Sequence, residues 1–528
     1  MTDSEQRDTE GASETSQNNP ETDSGHEPRR DVRPWNSDDW LALLAVAFVA
    51  GFTRIFRLGL PGEFVFDEVF YAKDACMYWH DSIEYCDFTD PPAEVHPPLA
   101  KWIMGAGIRI FGFDAFGYRI AGAVVGAVTV VLLYLLARKL LNSTAAATVA
   151  AGLLALDPLH FVLSRTAILD VYVPVFGVGA FAALAYDRSR ILAGARDPTE
   201  RRGRFNRPWR LAAGLLATGA AAAKWSGVLV LVGVAVISVG WEYWARRQDG
   251  RGRALLRLVS EEGPSLILYF FVVPLVAYIA TFISRIDGTV LAAPWAEGSW
   301  WRNLWNFHEF AFDFHFGLPG THVFASPPWS WPLIKRALPY WYETTDDGKV
   351  AEILATGNPV TWWLALIVLV VAAVVWVKRR DPRMPEGFVV ASFAFSYLPW
   401  VALARGRAAV FIFYFVASVP FLYLALGYAV VKLWREWKGR IVVGAVTAAA
   451  VGFFFFYYPV MAFVPIEQSA LDQRIWIFDN CDKPKPPLST VTNTVTQAIG
   501  PETTIVKTFT RTRLGGEDQL PPEGWCWI

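Results

Sequence analysis

Apolar runs long enough to cross a bilayer recur along this chain, and they restrict what it can fold into. Stretches at about 38–58, 118–138, 144–162, 166–186, 209–223, 226–244, 264–284, 359–377, 387–404, 408–431 and 440–460 read as spanning helices, about eleven in all. Composition agrees: 54% hydrophobic, only 18% charged, and rich in Trp and Phe, a membrane profile rather than a larger soluble core. The expected fold class is an all-α polytopic membrane protein.

The chain divides into three regions. Residues 1–34 are polar and acidic, cannot bury enough surface to fold, and are expected to be a disordered cytoplasmic tail. They lack a signal-peptide apolar region, so the first hydrophobic helix is expected to stay as an anchor. Residues 35–460 form the transmembrane body, with long loops at 59–117 and 285–358, and 461–528 form a C-terminal segment. Lys and Arg crowd the loops on one side, in Asp187–Arg207, Arg246–Arg257, Lys378–Arg380 and Lys432–Arg440. By the positive-inside rule this predicts a multi-pass plasma-membrane protein with a cytoplasmic N-terminus. The two long loops and the C-terminal segment then lie outside.

All four cysteines, Cys76, Cys86, Cys481 and Cys526, fall in those outside segments, as expected of an oxidising face. Four cysteines allow three pairings; the short loop between Cys76 and Cys86 is the easiest to bridge.

The stretch from Gly62 to Lys101 carries adjacent carboxylates, Asp67 and Glu68, and the run His96-Pro97-Pro98-Leu99. Acids beside a membrane are costly to bury and belong on its watery side or in a polar cavity. Several basic residues also break the charge rule by falling at the outer helix ends: Arg119, Arg165, Lys224, Arg405 and Arg407. A single such residue is ordinarily a snorkelling side chain. Together they form a set of cations at one depth, and a lipid phosphate is the anion that such a set fits. Carboxylates facing phosphate-binding cations point to a lipid-linked group-transfer site. The net charge of -1 and the lack of a basic, aromatic-interleaved patch argue against nucleic acid as a partner.

The motifs FVFDEVFYAKDA, VHPPLAKW, FGYRIAGAVVG, HFVLSRTAILDVY and AAAKWSG, followed by NLWNFHEF, SPPWSW, YLPW and FIFYFVASVPF, stand in the order and spacing of the protein O-mannosyltransferase family. The chain resembles its bacterial and archaeal branch from about residue 38 to 479. The resemblance implies a GT-C type glycosyltransferase that moves mannose from a polyprenyl (dolichyl) phosphate donor to Ser or Thr hydroxyls of exported proteins. It also implies Asp67 as the catalytic base and His96 and His308 as substrate contacts. The loop at 285–358 is too short for the β-trefoil domain of the eukaryotic members.

The chemistry needs a base for the acceptor hydroxyl and cations for the departing phosphate. Asp67 is assigned the first role, with Glu68 orienting a substrate, because neighbouring side chains cannot both point at one atom. Arg119, Lys224, Arg407 and, ranked lower, Arg165 are assigned to the phosphate. Asp170 is either an ion-pair partner of Arg165 or a substrate contact. His308, Asp313, His315 and His322 imitate a metal-ligand set without any familiar zinc spacing, so no metal or cofactor is expected. Two alternatives remain. A related GT-C enzyme would transfer an aminosugar to a lipid. A transporter would be expected to show an inverted repeat, and none is visible.

Overall fold

The computed structural model describes residues 33–80, 84–87, 95–196, 205–248, 250–283, 299–317, 324–381, 384–404, 410–475, 488–500 and 503–514. Met1–Trp35 and Asn36–Ile528 are separate units, and all the described helices and strands belong to the second.

Helix α1 (Ser37–Ile55) starts on a capping box in which Asn36 and Asp39 satisfy each other's backbone N–H. Asp39 does a second job. Its carboxylate takes Nε of Arg138 at 2.7 Å, which fixes the start of α1 to the end of α4 (Ala115–Leu141). Between them lie two helices of the first long loop, α2 (Glu68–Met77) and α3 (Leu99–Phe111). An ion pair of Lys101 with Asp74 at 2.8 Å and a Cys76–Cys86 disulfide hold that loop in shape. The disulfide is the easiest pair expected from sequence; Cys481 and Cys526 lie outside the described residues. Cys76→Ser is expected to cost about 2–4 kcal/mol of stability, because a cross-link chiefly restricts the unfolded chain. Thermal melting of the detergent-solubilised variant checks this.

The run at 144–162 is not one straight span. It breaks into α5 (Thr144–Ala155) and α6 (Pro158–Ser164), bent by 59°. Pro158 cannot continue the preceding turn, and Asp157 caps α6 through the N–H of His160 at 2.8 Å. The same carboxylate accepts from Trp362 Nε1 at 2.8 Å and Tyr423 Oη at 2.6 Å, tying α6 to the second half of the bundle. Next come α7 (Tyr172–Arg196), α8 (Pro208–Ala223) and α9 (Val228–Gln248). The following span joins α10 (Ala254–Arg257), α11 (Gly263–Ile267) and α12 (Val273–Ala280) through two π-helical turns.

At the arginine-rich ends of these helices, several charges that mark the basic loops are buried. Arg207 reaches Asp187 at 2.8 Å and Glu242 at 2.9 Å, Arg210 reaches Glu262 at 2.7 Å, and Arg246 reaches Glu242 at 2.7 Å. These side chains join four spans, a role that a count of loop charges does not reveal.

After α13 (Trp300–Gly317) in the second long loop, the bundle closes with α14 (Pro359–Arg379), α15 (Pro385–Leu403), α16 (Val419–Leu433), α17 (Trp437–Met461) and the short α18 (Gln468–Ile475). Helices stand at every position that hydropathy marks. Among the described residues six are long and apolar enough to cross a membrane, or seven with the bent pair. Segments such as α8 and α16 fall short of spanning length.

The fold is mostly helical, as expected, and the described residues also carry two antiparallel hairpins. Strand β1 (Leu338–Thr344) pairs with β2 (Val350–Ala355), and a bridge from Val350 to Ile466 pins the segment that follows α17. Strand β3 (Leu488–Gly500) pairs with β4 (Thr503–Leu514) in the C-terminal segment, where β-branched Thr and Val dominate.

Candidate active site

The DE pair is split by its own geometry. Phe66 adopts a left-handed backbone, φ 52°, and turns the chain into α2, with Asp67 at the cap and Glu68 as first residue. Successive helical positions diverge by about 100°, so the two carboxylates leave in different directions. Glu68 goes inward and is fully buried. Its oxygens accept from Val65 N at 2.8 Å and Ala167 N at 2.7 Å, and from Arg119 Nε and Nη2, both at 2.8 Å. The remaining donors of Arg119 go to the carbonyls of Pro61 at 2.7 Å, Glu63 at 2.8 Å and Leu58 at 3.3 Å.

Glu68 and Arg119, assigned from sequence to a substrate and to the phosphate, are instead found as each other's buried partners. Arg165 is likewise engaged within the protein. It donates to the carbonyls of Thr53, Arg54, Phe56 and Arg57 at 2.6–3.1 Å, holding the end of α1, and does not pair with Asp170.

Asp67 is different. It is half-buried, and its carboxylate makes no capping hydrogen bond to α2. Burial pushes its pKa up to about 6; Lys224 nearby works against this, and the like charge of Asp170 adds to it. Lys224, where α8 ends, donates to both oxygens of Asp170 at 2.8 and 2.7 Å. Its ammonium also sits 4.4 Å above the ring of Tyr414. Asp170 comes from a 3-10 turn before α7, and Tyr414 from one before α16, so interruptions in two helices supply polar groups to the site.

Tyr340 of β1 stacks on Phe66 at 4.6 Å, one residue from the free carboxylate. Its hydroxyl is buried and has no hydrogen-bond partner among the described residues. Burial, and then Asp170 and Asp67, push its pKa well above the usual phenol range.

His96 and His308 lie along an aromatic wall. From Tyr71, on α2 one turn after Asp67, ring contacts lead to His96 at 5.7 Å, His315 at 4.8 Å and Trp225, next to Lys224, at 5.8 Å. Trp225 stacks on His308 at 6.0 Å. Its indole N–H donates to Tyr278 Oη at 3.0 Å, and that hydroxyl meets His308 Nε2 at 3.0 Å. Nδ1 of His308 donates to the Leu304 carbonyl at 2.7 Å. Burial pushes the pKa of His308 down, and the hydrogen bond to the Leu304 carbonyl works against this. No group of three or more metal-ligating side chains gathers among the described residues. Arg405, Arg407 and His322 lie outside them.

Sequence reading missed Tyr340, Tyr414, Tyr71 and Trp225. Their only signal is an aromatic residue in or beside a motif, which elsewhere in this chain marks lipid contact.

Residues 111–287 match the family model for dolichyl-phosphate-mannose-protein mannosyltransferase, and residues 300–479 match that for the C-terminal four-helix membrane region of protein-O-mannosyltransferase. The polyprenol-phosphate-mannose–protein mannosyltransferase of Mycobacterium tuberculosis is 31% identical over 487 residues, covering 83% of this chain and 91% of that protein. The chain belongs to the protein O-mannosyltransferase family. The corresponding mannosyltransferase of Mycolicibacterium smegmatis is 30% identical over 486 residues, with 83% and 92% covered. A solved protein O-mannosyltransferase complex of S. cerevisiae bound to its sugar donor superposes with a TM-score of 0.67 at 15% identity. That match covers 84% of this chain and 93% of the yeast chain. It shows that this mannosyltransferase family member has the GT-C membrane fold.

Proposed function

We propose that the protein transfers mannose from a polyprenyl phosphate mannose to Ser or Thr hydroxyls of a protein, with Asp67 as general base. The observation that carries this reading is a carboxylate of raised pKa, without a capping bond, next to a Lys224–Asp170 pair in a family of mannosyltransferases. The Asp67 carboxylate takes the hydroxyl proton as the oxygen attacks the anomeric carbon. The bond from that carbon to the phosphate oxygen breaks, and the polyprenyl phosphate leaves with the electron pair. Attack from the opposite face inverts the centre, giving an α-linked product from a β-linked donor.

Lys224 is the described cation suited to the phosphate, while Asp170 and Tyr414 hold its ammonium in place. His96, His308 and the rings beside them form a wall for sugar or acceptor. The charge asymmetry supports a plasma-membrane location with this site on the extracytoplasmic face.

The test is incubation of the purified protein with labelled polyprenyl phosphate mannose and a Ser/Thr-rich peptide. Label should enter the peptide, and a peptide with those positions changed to Ala should stay unlabelled. No label in either peptide would refute the reading. The pH dependence should have a definite sign. A base of raised pKa is lost on protonation, so kcat/KM should rise to a plateau through about pH 6 and fall about tenfold per unit below it. Lys224→Gln should raise donor KM and lower kcat/KM by about 10²-fold with peptide KM little changed, which steady-state kinetics in both substrates would show.

A further inference from the structure

A cavity of about 600 Å³ opens between α9, α14 and α15, at the arginine-rich end of the bundle and away from Asp67. Trp241, Trp376, Phe388 and Phe395 line it, and Arg380 is the charged residue among its lining. Two glycines shape it. The indole of Trp376 lies so close on Gly387 that a Cβ there would fall 2.6 Å from its Nε1. At Gly240 a Cβ would meet nothing within 4 Å. Most of α14 is not buried within the protein, so the cavity borders the hydrocarbon of the bilayer. A space of this size is within the range of ligand pockets, and its walls offer little but apolar contact.

Its charged edge is specific. Arg380 caps α14 in the left-handed conformation, φ 50°, and directly follows Lys378 and Arg379. On α7 the guanidinium of Arg188 lies 5.4 Å from the Trp241 ring centroid. A guanidinium at the edge of an apolar slot between spanning helices matches a lipid with an anionic headgroup, which gains about 1 kcal/mol, or about fivefold in affinity, for each cation it meets.

We infer that this cavity binds one anionic phospholipid, with an acyl chain against Trp241 and Trp376 and the headgroup phosphate at Arg380. The site is separate from the transfer chemistry, so its occupant is a structural or regulatory lipid rather than the donor.

The full chain in detergent, titrated with dioleoyl phosphatidylglycerol or dioleoyl phosphatidylcholine under native mass spectrometry, tests this. Wild type should retain one phosphatidylglycerol in preference to phosphatidylcholine. Gly240→Phe, whose Cβ meets nothing within 4 Å and whose ring would occupy the slot, should lose that lipid yet still transfer mannose. Arg380→Gln, at an exposed cap, should bind it about fivefold more weakly and no longer prefer it, and this variant decides the matter if Gly240→Phe does not fold. Equal retention of both lipids by wild type, or unchanged phosphatidylglycerol binding in the Arg380 variant or a folded Gly240 variant, would overturn the inference. So would one-for-one displacement of the lipid by undecaprenyl phosphate, which would assign the cavity to the donor's chain.

Discussion

Asp67→Asn is expected to reduce mannosyl transfer by about 10²–10⁴-fold, the usual contribution of a positioned general base. Donor binding should be nearly unchanged, because the phosphate contact is assigned to Lys224. The same substitution should not lower the melting temperature. A carboxyl whose folded pKa is raised to about 6 from an unfolded 3.8 costs stability when it ionises. That cost begins as pH rises past 3.8, is complete above about 6, and is absent when both states are protonated. At pH 7.5 the Asn variant should therefore melt at or above the wild-type temperature, with the difference shrinking towards pH 4. Activity and melting curves on one preparation check both halves. A variant that is inactive because it is unfolded would not support the assignment, and near wild-type turnover would remove Asp67 from the mechanism.

Arg119→Met is expected to have the opposite signature. It leaves the fully buried Glu68 carboxylate without its forked partner, and breaking such a pair costs about 3–5 kcal/mol. Expression and melting temperature should both fall sharply. Glu68→Gln in the same background removes the orphaned charge and should recover part of the loss, a coupling that a double-mutant cycle measures. If Arg119 instead held the donor phosphate, the single variant would fold normally and only raise donor KM.

This contrast shows what was legible in the sequence. Hydropathy placed a helix at each marked position because an apolar run in a bilayer has few other options. The family resemblance pointed to Asp67, and the charge argument to Lys224, and the structure brings those two close enough for their charges to interact. Partner choice was not legible. Asp170 lies five residues from Arg165, yet Arg165 caps α6 and turns to the end of α1 while Asp170 sits in the separate 3-10 turn before α7, and its true partner Lys224 is 54 residues away. Glu68 and Arg119 are the residue types that also serve substrates, and their burial depends on a turn at Phe66 whose left-handed backbone no residue pattern announces. Tyr340 reaches the site from a hairpin in a loop that hydropathy reads only as polar. The break at Pro158 was written in the sequence, but averaging over a spanning window hides an Asp-Pro pair between Leu156 and Leu159.

The central claim is a single direct displacement with Asp67 as base and not as nucleophile. The anomeric configuration of the product tests it most directly. NMR of a Ser/Thr peptide mannosylated by the purified protein from β-linked polyprenyl phosphate mannose should show only the α-linked sugar. A β-linked product would mean two displacements through a covalent sugar–enzyme intermediate, and would contradict the account.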